Sequence, residues 1–168
     1  GTGSNAGLYQ HGSITFQYPS LGYILGDEGG GVSIGKELIR AYFYGLMPKS
    51  LSKLFEAKYA LKKDDLLDAL YKQRLGSDYL AGFATFLADI NHSWKDALLE
   101  QVFMQFIQAR ILPLWQIYQL PVSFTGSVAY ANKDHLLHIL NKQKIKTGKI
   151  VQKPIYGLIE YHKLTTTK

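Results

Sequence analysis

Apolar and polar residues alternate along Ser13-Ile14-Thr15-Phe16-Gln17-Tyr18, the period-two pattern of a strand. The His11-Gly12 turn ahead of it predicts pairing with a strand that ends near Tyr9. Beyond Gly31 the period changes. Val32 to Tyr44 carries helical spacing, Asp64 to Lys72 reads as a second helix opened by acidic residues, and Leu80, Phe83, Ala84 and Leu87 recur at helical intervals. A longer helix is predicted after Ser93 as its cap, with Leu98, Leu99, Val102, Phe103, Phe106 and Ile107 as its buried face and its end near Pro113. The aromatic residues Tyr42, Phe43, Tyr44, Phe83 and Phe86 fit core or interface packing. A β-rich run, Val122 to Ala129, breaks on Gly126 and leads into a helix over Asn132 to Leu140. The predicted order is two or three strands, a block of helices, then strand, helix, strand, which is an α/β pattern with a helical insertion.

Composition narrows the class. A chain of 168 residues with 46% hydrophobic content can bury the core of one domain, here taken as residues 1–168. Zero cysteines exclude a disulfide framework and a thiolate metal site, and no apolar run reaches the roughly 18 residues of a membrane helix. An ordinary cytoplasmic location and no membrane partner are expected. The formal net charge of +6 with pI near 9.3 raises the question of nucleic acid. Lys142, Lys144, Lys146, Lys149 and Lys153 are interspersed with Gln, Thr and apolar residues, so a solvated surface is expected and no nucleic-acid partner. His92, His135, His138 and His162 lack ligand spacing with carboxylates apart from the pair Asp134 and His138, so no metal site is expected within the chain.

The chemistry concentrates in glycine-rich turns. Gly22-Tyr23-Ile24-Leu25-Gly26-Asp27-Glu28-Gly29-Gly30-Gly31 holds five glycines in ten residues around an acidic pair, just ahead of the predicted helix. Glycines allow φ > 0 and close backbone approach, and two carboxylates accept hydrogen bonds from hydroxyls, which suits a sugar or polyol. A loop that only leads into the helix, with Asp27 and Glu28 favoured by its dipole, accounts for the same residues. At the start of the chain, Gly1-Thr2-Gly3-Ser4-Asn5 can aim backbone N–H groups at an anion. Val122-Ser123-Phe124-Thr125-Gly126-Ser127-Val128-Ala129 reads as strand, Gly-Ser turn, helix, a common way to seat a nucleotide at a sheet edge. Ser127 is not a nucleophile elbow, because G-x-S-x-G is absent.

Taken in order, GTGSN, LGDEGGG, FTGSVA and the terminal Pro154-Ile155-Tyr156-Gly157-Leu158 resemble the C-terminal half of the N-acetylglucosamine kinase and BadF-type ATPase family of the actin-like ATP-binding superfamily. The resemblance runs from Gly1 to about Tyr161 and implies a ribonuclease-H-like C-terminal domain, a mixed sheet with a helical insertion. It implies that Gly1, Thr2, Gly3 and Ser4 form a phosphate turn, that Ser20, Gly22, Gly26 and Asp27 face the sugar, and that Gly126 and Ser127 approach the nucleotide. Gly29 would help to shape the sugar approach. The implied cofactors are ATP and Mg²⁺, and the implied substrate is an amino sugar. Two departures stand out: Ser20-Leu21-Gly22 where many members have Gly-Trp-Gly, and Gly30 where they have serine after Gly-Asp-Glu-Gly. The first loses an indole that would line a sugar pocket. The family's Asp-Gly-Gly-Thr phosphate loop and its aspartate base are not in this chain; the resemblance assigns both to an N-terminal half. The expectation is therefore a kinase half whose partner is the missing N-terminal domain, with no catalytic base of its own and no activity in isolation; a homodimer is compatible with it. Two other functions stay open. One is a BadF-type ATPase activator, although those use cysteines to bridge an iron–sulfur cluster and this chain has none; the other is a non-catalytic sugar or nucleotide sensor.

Overall fold

The computed structural model describes residues 1–166, with side chains through residue 163, and resolves two compact units: Thr2–Leu112, and Gly1 together with the chain from Pro113 onward. In the first unit, β1 (Gly7–Gln10) and β2 (Ser13–Gln17) pair antiparallel with Leu8 opposite Phe16 and a bulge between Leu8 and Tyr9. His11 and Gly12 take φ of 51° and 82°, the doubly positive turn whose twist matches a right-handed hairpin. Leu8 is buried and every residue of β2 is exposed, so the hairpin contributes one anchor to the core.

Helices follow: α1 (Gly22–Leu25), α2 (Gly31–Phe43), α3 (Lys49–Tyr59), α4 (Lys63–Leu67), α5 (Ser77–Gly82) and α6 (Ser93–Phe106). Central among them is α2, which buries Val32, Ile34, Leu38, Ile39 and Ala41. At Gly35 a Cβ would overlap the carbonyl oxygen of Leu80, so only glycine lets α2 and α5 touch backbone to backbone. Phe55 of α3 is fully buried, with ring centroids of Tyr42, Tyr59 and Phe86 at 4.9, 4.7 and 5.1 Å. Burying one such ring stabilises by about 1.5–3 kcal/mol. Phe83 and Phe86 are buried as core, and Tyr42 and Phe43 are half-buried, while Tyr44 faces solvent.

Two expectations about the long helix change. The residue that caps α6 is His92, in extended conformation, whose Nδ1 accepts the N–H of Trp94 at 3.0 Å; Ser93 is already helical. The helix also does not end near Pro113. The chain winds through a π-turn over Ile107–Ile111 into α7 (Leu112–Tyr118). A proline removes one N–H from an α-helical ladder and crowds the turn before it, and a widened turn relieves both. The buried face agrees with the periodicity: Leu98, Leu99, Val102, Phe103, Phe106 and Ile107 are all buried. Asp64 to Lys72 is likewise helical, as α4 followed by a second π-turn over Asp68–Lys72.

In the second unit, β3 (Val122–Thr125) pairs parallel with β4 (Thr147–Val151), Val122 opposite Thr147 and Thr125 opposite Val151. Two helices, α8 (Ser127–Ala131) and α9 (Lys133–Lys142), make the crossover, and α10 (Ile155–Thr166) follows. Leu136, Ile139, Leu140 and Ile145 form this unit's buried centre. The α/β class is as expected. Among the described residues, however, the strands form two separate two-stranded sheets, one antiparallel and one parallel, where one mixed sheet was expected.

Candidate functional site

The first turn of the chain and the acidic loop lock together. Ser4 donates its N–H to Asp27 Oδ1 at 3.1 Å and its hydroxyl to the Glu28 carbonyl at 2.6 Å. The N–H of Val32, in the first turn of α2, donates to the Thr2 carbonyl at 3.0 Å. The spacing between the two segments admits only glycine: a Cβ on Gly3 would stand 2.5 Å from Asp27 Oδ1, and one on Gly30 would stand 2.7 Å from the Thr2 oxygen. Two stretches more than twenty residues apart in sequence thus form one surface at the N-terminal end of α2.

Asp27 sits at φ 63°, a left-handed conformation that aspartate tolerates better than most side chains. Its carboxylate does not cap α2: the N-cap is Gly30, which has no side chain, and Asp27 turns instead toward Ser4. Oδ2 has no protein donor among the described residues. The carboxylate is thus held by one oxygen through Ser4, not by the first turn of the helix. Gly26 and Gly22 are brought together by α1, where the Gly26 N–H donates to the Gly22 carbonyl at 2.8 Å. Gly22 has φ 67° and open space around it, and Ser20 is exposed two residues earlier.

Behind this loop stand side chains that sequence reading did not assign to the site. Arg110, in the π-turn after α6, approaches Glu28 Oε2 with Nη2 at 3.4 Å, donates from Nη1 to the Pro19 carbonyl at 3.4 Å, and lies over the Tyr18 ring at 5.2 Å. Phe106, one turn earlier, backs Gly29, where a Cβ would come within 2.8 Å of the phenylalanine Cβ. Lys36 of α2 donates to the Tyr23 carbonyl. Burial pushes the Lys36 ammonium below its ordinary pKa, helped by Arg40, while Asp27 and Glu28 pull it back up. Sequence carried one signal for Arg110: it follows Phe106 by four residues on a helix whose apolar face was already assigned.

The Gly-Ser turn lies in the second unit. Gly126 has φ 120° and ends β3, its N–H donating to the Val151 carbonyl at 2.9 Å, and exposed Ser127 opens α8. A Cβ there would meet only the Gly1 nitrogen, at 3.6 Å, an ordinary contact. Among the described residues, no group of three His, Cys, Asp or Glu side chains is arranged to hold a metal ion, and no helix is long and apolar enough to cross a membrane.

No protein-family model matches the chain, and no curated protein does. Solved structures do. The structure of a Porphyromonas gingivalis protein designated "Putative N-acetylglucosamine Kinase" superimposes with a TM-score of 0.87 and 34% sequence identity. The match covers 96% of this chain and 57% of that one, so the chain spans a little over half the length of its structural relative. A match of that extent is consistent with a C-terminal half. The likeness to an N-acetylglucosamine kinase-type protein, first drawn from four short motifs, thus holds in sequence and in three dimensions across nearly the whole chain.

Proposed function

We propose that this chain is the ribonuclease-H-like C-terminal half of an ATP-dependent kinase that phosphorylates N-acetylglucosamine or a related amino sugar. The observation that carries the reading is the interlock of Thr2–Ser4 with Asp27–Gly30, which sets a candidate phosphate turn and a candidate hydroxyl acceptor on one surface. In this reading Asp27 Oδ2 accepts a hydrogen bond from a sugar hydroxyl and orients the acceptor, and Gly22, Gly26 and Ser20 line its approach. Ser4 spends both its donors on the acidic loop, so it holds the turn together, and the backbone of Gly1, Thr2 and Gly3 faces the phosphates. The β3, α8, α9, β4 crossover supports the nucleotide half of the assignment, with Gly126 approached only by the Gly1 nitrogen and Ser127 exposed beside it.

Bound ATP with its Mg²⁺ would supply the transferable phosphoryl group and the counter-charge for it. The residues present fit such a complex: backbone at Gly1 and Gly126 that no side chain crowds suits a nucleotide, and an ion carried by phosphates needs no protein cage. What this chain contributes is orientation, because a hydroxyl fixed for in-line attack has already lost the freedom that otherwise slows the reaction. Deprotonation of that hydroxyl is assigned to the other half. The test is ADP release by the full-length protein, measured in a coupled assay with N-acetylated and plain hexoses. The reading expects turnover with an acetamido sugar and none for the 168-residue chain alone; no turnover with any amino sugar, or ordinary turnover by the isolated chain, overturns it.

A further inference from the structure

The acidic pair splits its work. Asp27 and Glu28 are adjacent in sequence, yet Asp27 turns to Ser4 while Glu28 turns to Arg110, and the Arg110 side chain is only 11% exposed. The guanidinium reaches three points of one loop. Nη1 meets the Pro19 carbonyl, Nη2 meets Glu28, and Nη2 also stands 3.7 Å from where a Cβ on Gly26 would be. Its central carbon lies over the Tyr18 ring, 5.2 Å from the centroid. Pro19 and Glu28 lie at opposite ends of the stretch that contains Ser20, Gly22 and Gly26, so Arg110 ties the loop closed at its base. Glu28 also passes the restraint on: its carbonyl accepts the Ser4 hydroxyl, and Ser4 holds Asp27 Oδ1.

The helix behind is shaped for this contact. Phe106 and Arg110, four residues apart, line one side of the helical run from α6 into its π-turn, the first against Gly29 and the second against Gly26 and Glu28. A π-turn widens the helix, and such turns recur at functional sites because they re-aim one side chain without ending the helix. A lysine at this place could pair with Glu28 as a point charge, but it lacks the planar fork that reaches Pro19 and Glu28 together.

We propose that Arg110 is a positioning residue for the Asp27 loop: by clamping Glu28 to Pro19 it fixes the Asp27 carboxylate in the orientation that receives the sugar hydroxyl. The inference rests on the sugar reading of Asp27. It assigns Glu28 to the clamp and not to the ligand.

The experiment uses the full-length protein with four variants, Glu28→Gln, Arg110→Met, the double variant Glu28→Gln with Arg110→Met, and Arg110→Lys, and Asp27→Asn as reference. N-acetylglucosamine affinity is measured by isothermal titration, the KM for ATP separately, and folding by thermal unfolding. Each single loss of the clamp should weaken sugar binding roughly three- to tenfold, the double variant no further than the weaker-binding single, and the KM for ATP should stay within about twofold. Arg110→Lys should recover part of the loss. Equal losses toward sugar and ATP would show a general structural role and overturn the proposal, as would multiplying effects in the double variant. Should Arg110→Met fail to fold, Arg110→Lys and Glu28→Gln, alone and combined, make the same comparison. If Asp27→Asn weakens the sugar and the clamp variants do not, the positioning role alone is wrong. If Asp27→Asn binds sugar normally, the sugar reading itself has failed and the clamp proposal goes with it.

Discussion

Replacing Asp27 by asparagine separates a ligand role from a folding role, because the structure makes the substitution gentle for the fold. Asparagine occupies the left-handed region at least as readily as aspartate, so φ of 63° adds no strain. Its amide oxygen can keep the 3.1 Å bond from the Ser4 N–H, with the charge-assisted part of that bond lost. Charge assistance roughly doubles a hydrogen bond, so the stability cost is about 0.5–1 kcal/mol. At the other oxygen the change is larger. An acceptor becomes an NH₂ donor, and a sugar hydroxyl that donated to a carboxylate loses an interaction of roughly 1.5–3 kcal/mol, which is about ten- to a hundredfold in affinity. Isothermal titration of the full-length variant with N-acetylglucosamine, beside its thermal unfolding, measures both quantities, and Glu28→Gln serves as the comparison with a smaller loss. An Asp27→Asn protein that is folded and binds the hexosamine as tightly as the parent refutes the assignment of this loop to the sugar. So does one whose unfolding temperature collapses while the affinity of the folded fraction is unchanged.

Two further substitutions test the other glycine positions. Gly35→Ala places a methyl group on the Leu80 carbonyl oxygen, backbone against backbone, so α2 and α5 must part and the first unit should lose about 1–3 kcal/mol, read as a lower denaturant midpoint; a variant as stable as the parent would show that the contact is not tight. Gly126→Val sets its Cβ in ordinary contact with the Gly1 nitrogen but is strained at φ 120° by about 1–3 kcal/mol, and if this turn approaches the nucleotide it should also raise the KM for ATP while sparing sugar binding. A variant that melts early yet binds ATP normally when folded removes Gly126 from the site.

Local pattern carried much of this protein. The hairpin around His11-Gly12, the span of α2, the buried face of α6 and the strand, Gly-Ser turn, helix at Gly126 all follow from the spacing of apolar residues and from glycine's tolerance of positive φ, which are properties of neighbouring residues. Tertiary structure decided everything that depended on segments meeting. Periodicity could not show that Ser4 and Asp27 would be bonded across 23 positions, nor that the two carboxylates of one dipeptide would face different partners. The helix runs past Pro113 because proline's missing N–H is only a local signal, and the π-turn that accommodates it forms within a helix whose Phe106, Ile107 and Ile111 are buried among their neighbours. Arg110 stayed hidden for the same reason: an arginine near the end of an amphipathic helix is ordinary in sequence, and only the packing of α6 behind the acidic loop, 82 positions away, turns it into the group that holds Glu28.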